Sequence, residues 1–121
     1  VAGQLNHLHC IEIEMGADGN FDYVVTRGFE VVDILAITNI NDGGTTATPQ
    51  TNIGGAGLAA LTGAALATDT VDDMERAGTI VTAQMTMATG DTLRMIQAGS
   101  AGAADQADVY TWVIPTTWIS G

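Results

Sequence analysis

Phe29-Glu30-Val31-Val32-Asp33-Ile34-Leu35-Ala36-Ile37-Thr38-Asn39-Ile40 is the stretch on which the fold turns, and it predicts one long strand. Apolar side chains occupy both of its parities: Val31, Leu35 and Ile37 on one, Val32, Ile34 and Ile40 on the other. A strand apolar on both faces belongs at the centre of a sandwich or under a neighbouring subunit. Upstream, Cys10–Met15 alternates Ile11, Ile13 and Met15 against Glu12 and Glu14, a half-buried strand. Gly16-Ala-Asp-Gly-Asn20 is a turn whose Asp-Gly pair suits a tight hairpin. Phe21–Thr26 follows as a strand with Phe21, Tyr23 and Val25 on one face, interrupted by Arg27-Gly28.

Downstream, Asn41-Asp-Gly-Gly44 turns the chain into Thr45–Ile53, polar and β-prone, and Gly54-Gly-Ala-Gly57 breaks it again. Leu58–Ala67 is rich in Ala and Leu, with Leu58, Leu61 and Leu66 roughly on helical spacing, and predicts a short helix weakened by Gly63. Thr68–Ala77 carries Asp69, Asp72, Asp73 and Glu75. Thr79–Thr89 is a clean alternation, with Val81, Ala83, Met85 and Met87 on one side, and predicts a strand. Gly90-Asp91 turns into a strand over Asp91–Ala98, through Leu93, Arg94 and Met95. After the small-residue loop Gly99–Gln106, the strand Asp108–Thr116 puts Tyr110, Trp112 and Ile114 on one face, and Pro115 marks an edge or a strand end.

Regularly spaced strands, Gly-marked turns and one short helical segment predict an all-β fold, a β-sandwich or jelly roll. Residues 1–15 form an N-terminal arm and first strand, and 16–121 a single β-sandwich domain. The 121 residues suit one core.

Charge narrows the partners. The chain has three arginines (Arg27, Arg76, Arg94), no lysine and fourteen carboxylates, for a net charge of −11. Nucleic acid is held chiefly by Lys and Arg displacing condensed counterions, so neither nucleic acid nor an anionic membrane is an expected partner. No apolar run approaches the ~20 residues of a spanning helix. No basic region followed by an apolar run marks a leader at the N-terminus. Forty-six per cent of residues are hydrophobic, too many for the few charges to cover on a monomer; burial between subunits resolves that shortage. Each arginine is expected to pair with carboxylates within or between subunits.

Chemistry-bearing motifs are few. His7-Leu8-His9 followed by Glu14 resembles half of a cupin metal motif, but the chain has no third histidine to complete it. Asp18-Gly-Asn20-Phe-Asp22 and the Asp69, Asp72, Asp73 group offer oxygen ligands without the spacing of an EF-hand loop. Gly54–Gly57 lacks the Lys and Ser/Thr of a phosphate-binding loop and reads as a tight bend. Ser100 and Ser120 lie in no nucleophile elbow, and Cys10 reads as a buried structural thiol. Tyr110 and Trp112 read as core or interface anchors, and Trp118 as an exposed anchor. No cofactor and no enzymatic activity are expected.

The chain resembles the small decoration, or cement, proteins of tailed bacteriophages. The resemblance lies in Phe29-Glu-Val-Val-Asp-Ile-Leu-Ala-Ile; the Gly-rich turn into Ala60-Leu-Thr-Gly-Ala-Ala-Leu; Glu75-Arg-Ala-Gly-Thr-Ile; Ala88-Thr-Gly-Asp-Thr-Leu-Arg94; and Val109-Tyr-Thr-Trp-Val-Ile-Pro115. It implies a sandwich or jelly roll on the outer surface of a virion, often trimeric, bound to the major capsid protein and clamping neighbouring capsomers. The family has no catalytic residues to transfer. Val1–Cys10 would be an arm reaching to capsid protein or a sister subunit. The candidate interface is then Val1, Leu5, His7, His9, Arg27, Arg76, Arg94, Tyr110, Trp112 and Trp118. A carbohydrate-binding adhesin module and a degenerate cupin-like metal protein are the alternatives.

Overall fold

The computed structural model of the chain describes residues 8–40, 45–68, 74–99 and 106–116. The long central strand forms as expected: β3 spans Phe29–Ile40. On one side it pairs with β10 (Gln106–Pro115), and β1 (His9–Met15) lies beyond β10. On the other side it pairs with two short strands, β7 (Met74–Arg76) and β8 (Thr86–Met87). A second sheet runs β2 (Gly19–Val24), β9 (Thr92–Ala98), β4 (Thr46–Asn52) and β5 (Leu58–Ala60), with β6 (Leu66–Ala67) also on β4. Every pairing is antiparallel.

β5 and β6 are two pieces of one lane beside β4, as β7 and β8 are beside β3. Counted by lanes among the described residues, the chain changes sheet at every step except from β4 to β5, which is the path of an eight-lane jelly roll. The core between the sheets takes Met15, Ile34, Val109 and Val113 from the first, and Ala47, Leu93 and Met95 from the second. β1 is an edge strand of this sandwich, so residues 9–15 are built into the same unit as the rest.

The two apolar parities of β3 have a specific cause. Trp112 is opposite Asp33 and Val113 is opposite Val31, so Val32 is an extra residue, a β-bulge. Before it Phe29 and Val31 face the core; after it Ile34, Ala36 and Thr38 do. Past the bulge, the Ile34 N–H donates to Asp33 Oδ1 at 2.9 Å. The bulge falls opposite the gap between β7 and β8. Pro49 has a matching place in β4, at the gap between β5 and β6, where its missing N–H costs no ladder bond.

Several expectations need correction. Leu58–Ala67 is not a helix: β5 and β6 pair with β4, and the Leu61 N–H donates to the Pro49 carbonyl at 3.0 Å. A helix of this length is marginal alone, and the open edge of β4 satisfies its backbone better. Thr79–Thr89 is not one strand either. Ile80 bridges to Thr62, Thr82–Gln84 forms a 3-10 turn, and only Thr86–Met87 joins β3. Between β7 and β8 the segment leaves β3 to bridge to Thr62 and then returns, and that excursion needs a turn. The Gly16–Asn20 turn is a corner rather than a hairpin, because β1 pairs with β10 and β2 with β9. Cys10 is exposed, on the outward parity of Glu12 and Glu14. Pro115 is a strand end, as expected, and the strand it ends, β10, is central.

The buried polar groups are largely threonines with partners. Thr45 Oγ1 donates to the Thr68 carbonyl (2.8 Å), and Thr68 Oγ1 donates to Thr45 Oγ1 (3.0 Å). Thr51 Oγ1 donates to Gln84 (2.9 Å to Oε1). Gly28 is pressed so closely that a Cβ would sit 3.0 Å from Thr116 Oγ1 and 3.1 Å from the Met87 carbonyl oxygen. Thr111 is the exception among these threonines: its hydroxyl is fully buried on the inner face of β10 with no partner. Thr111→Val removes that desolvated hydroxyl at nearly constant shape. It is expected to stabilise the fold by about 1 kcal/mol, a rise in Tm of roughly 4 °C in a thermal melt. A lowered Tm would show that the hydroxyl contributes to the core.

Candidate functional site

Of the alternative His7, His9 and Glu14 metal set, the two described members do not converge. His9 lies on the inward parity of Ile11, Ile13 and Met15, whereas Glu14 points outward, five residues along the same strand. His9 lines a cavity of about 200 Å³ at one end of the sandwich, with Tyr23, Arg27 and Phe29. His7, like Val1, Leu5, Trp118 and the Asp69, Asp72, Asp73 group, lies outside the described residues.

Other oxygen-rich turns are committed elsewhere. Asp22 accepts two hydrogen bonds from Arg94, from Nε at 2.7 Å and from a terminal nitrogen at 2.9 Å. The two residues are direct cross-strand partners on the outside of the second sheet. That hydrogen bonding holds the Asp22 carboxyl below its ordinary value of 3.8, and it raises the Arg94 guanidinium. Asp18 accepts from Gln97 Nε2 at 3.4 Å. At the glycine-rich bend, Gly54, Gly55 and Gly57 take positive φ. The Gly54 N–H donates to Asp91 Oδ1 (3.0 Å), while Asp91 Oδ2 accepts from the Ala88 N–H (2.9 Å). A carboxylate thus occupies the amide that a phosphate would need.

The outside of the two sheets differs sharply. On the second sheet the outward positions of β2, β4 and β9 are mostly polar: Asn20, Asp22, Thr46, Thr48, Gln50, Asn52, Thr92 and Arg94, with Val24 and Ile96 among them. On the first sheet the outward positions of β10 and β3 include Tyr110, Trp112, Ile114, Leu35 and Ile37, all half-buried, beside Asp108, Glu30 and Asp33. Around them Val32 is 39% exposed, Ile40 47%, Leu8 50% and Met74 62%. Tyr110 and Trp112 sit with ring centroids 6.1 Å apart, tilted by 34°. They stand on an open face and are not members of the core. The bulged Val32 joins Leu8, Trp112, Asp33 and Arg76 around a shallow hollow of about 160 Å³.

Carboxylates frame this apolar stripe. Glu12 is opposite Tyr110, Glu14 opposite Asp108, and Glu30 opposite Ile114. The carboxylates of Glu12, Glu14 and Asp108 come within 4.8 Å of one another. Arg76 supplies a cation to the face, 3.3 Å from Asp33. Burial, then the negative charge of Glu12 and Asp108, pushes the Tyr110 phenol up, and burial with Glu12 does the same to the Cys10 thiol. Of the sequence candidates, the structure brings Tyr110, Trp112 and Arg76 to this face, while Arg94 lies on the other sheet and Arg27 at the end cavity. Glu12, Glu14, Asp108, Val32, Leu35 and Ile37 were not among those candidates. Their signal was the polar stripe of β1 and the second apolar parity of β3.

No protein-family model matches the chain, and no curated protein does. Among solved structures it is similar to part of a chain from one described as the structure of infectious bursal disease virus, Gx strain. The likeness covers 93% of this chain and 33% of that one, at 14% identity and a TM-score of 0.39. The chain spans about a third of that neighbour's length. The jelly-roll assignment rests on strand order and register.

Two measurements check the site. Because the Asp22 carboxyl is lowered in the folded state, its pairing contributes stability above the ordinary carboxylate value and loses it as pH falls through the lowered one. Asp22→Asn should therefore melt below the parent near neutral pH, with the difference closing in strong acid; a gap that persists there would remove the pairing as its cause. Cys10 is exposed and should couple to a neutral maleimide without denaturant, more slowly than a free thiol because its thiolate is disfavoured. Mass spectrometry of the folded protein reads this directly.

Proposed function

We propose that this chain is a structural capsid decoration protein: it binds the outer surface of an assembled phage head, ties neighbouring capsomers together, and makes or breaks no bonds. The observation that carries the reading is the open apolar face of the first sheet, with Tyr110, Trp112, Leu35 and Ile37 at its middle. Contiguous apolar surface of this kind on a small domain marks a site that another protein covers. The jelly roll is an architecture that viral capsid proteins use among others, which is compatible with the role without assigning it. The resemblance of the stretches from Gly28 onward to phage cement proteins points the same way.

Charge favours the outer surface over the inner one. A chain at −11 is repelled by packaged nucleic acid and has no lysine with which to hold it. A trimer would engage several equivalent positions on a head at once, gaining strength through effective concentration without a large interface per copy. An aromatic pair on an open face also favours a carbohydrate-binding reading. Aliphatic Leu8 and Val32 around Trp112 suit a protein side chain better than a sugar ring.

Light scattering on the purified protein should give the mass of three chains. Sedimentation with undecorated heads of the phage that encodes it should show saturable binding, and a glycan array should stay flat. A monomer that leaves heads bare would overturn the proposal; glycan binding lost on Trp112→Ala would move it to the carbohydrate reading.

A further inference from the structure

We infer that the outer face of the first sheet is the surface that meets the head, and that its counterpart is an apolar knob ringed by lysine or arginine on a different protein, not a second copy of this chain. The inference rests on the docking role proposed above and adds the face and the chemistry of the partner. Geometry supplies the apolar half. The extra residue of β3 pushes Val32 out of the ladder, and with Leu8 and Trp112 it borders a hollow in an otherwise pleated surface. A tryptophan beside a hollow at the middle of a face is the kind of position that dominates binding energy.

Charge supplies the other half. Glu12, Glu14, Asp108, Glu30 and Asp33 all stand on this face, and Arg76 is already beside Asp33. A twofold contact between copies would use the same patch on both sides and set these carboxylates against one another. Like charges brought together across an interface oppose association, whereas a basic rim would be drawn in and oriented. The second sheet offers no rival, since its outward positions are mostly polar and its Arg94 is engaged by Asp22.

The test compares variants with matched charge change on the two faces. Glu12→Gln/Glu14→Gln removes two negative charges from the proposed face; Asn20→Lys/Ala98→Lys adds two positive charges to the outward positions of the second sheet. The first, and separately Trp112→Ala, should weaken sedimentation with undecorated heads by about tenfold or more, and the second should leave it unchanged. Parent binding should also fall as salt rises. An arm independent of heads uses nuclear magnetic resonance with a lysine-flanked leucine peptide and its glutamate-flanked counterpart. Only the cationic peptide should shift Val32, Leu35, Tyr110 and Trp112. Heads bound equally by all variants would overturn the face while leaving decoration intact. Variants that change the oligomeric mass without changing head binding would make this face a contact between copies and overturn the partner. Peptides that act alike, or not at all, would overturn the partner's chemistry whatever the heads do.

Discussion

The register between β3 and β10 is the constraint from which the remaining architecture follows. Side chains alternate along a strand, so a shift of one residue exchanges the buried set for the exposed set. In β3 that exchange happens inside the strand at Val32, and a second shift, at Asn39, falls near its end. With no extra residue, the alternation that buries Phe29 and Val31 would carry Leu35 and Ile37 inward and turn Ile34 and Ala36 out. The bulge keeps Ile34 and Ala36 in the core and leaves Leu35 and Ile37 outside. One inserted residue therefore shapes the interior packing and also the apolar surface.

The broken lanes beside β3 and β4 follow from local chemistry. Pro49 cannot donate to a neighbour and Val32 has no opposite number, and at both places the adjoining lane splits into two short strands. Between the pieces the chain satisfies its amides by single bonds, such as Leu61 to Pro49 and Val31 to the Met85 carbonyl. Threonine hydroxyls do similar work in the interior, closing on carbonyls and on each other. The two described arginine–carboxylate pairs are on the surface, where such pairs contribute only about 0–1 kcal/mol, so burial and the ladders carry the stability.

The functional reading follows from an asymmetry between the two sheets. A sandwich has two outer faces, and a chain with few charged side chains cannot make both of them polar. Here threonine, glutamine and asparagine are concentrated on the second sheet, and the aromatic and aliphatic residues are collected on the first. In the proposed docking role, the acidic frame around the apolar stripe would oppose contact between identical copies through that patch and favour a partner of opposite sign.

Much of the sandwich was legible in residue order. The alternation in β1, the long β3, the strand through Leu93 and Met95, and the run ending at Pro115 are local patterns that burial enforces within one strand. The Ala-rich stretch after Gly57 and the alternation of Val81, Ala83, Met85 and Met87 misled, because their conformation is set by which edge they meet and not by their own spacing. The exposure of Cys10 was implicit in the inward set Ile11, Ile13 and Met15. The candidate site was half visible: Tyr110, Trp112 and Arg76 stood out by type, but their gathering with Glu12, Asp108, Leu35 and Val32 depends on pairings between strands that lie far apart in the chain. By itself the sequence determined the strand-forming segments, the acidity and the scarcity of cations, since these depend on composition and local periodicity. Only the tertiary structure decided which apolar parity of β3 is buried and which surface is left open, because that depends on the bulge at Val32 and on partners remote in sequence.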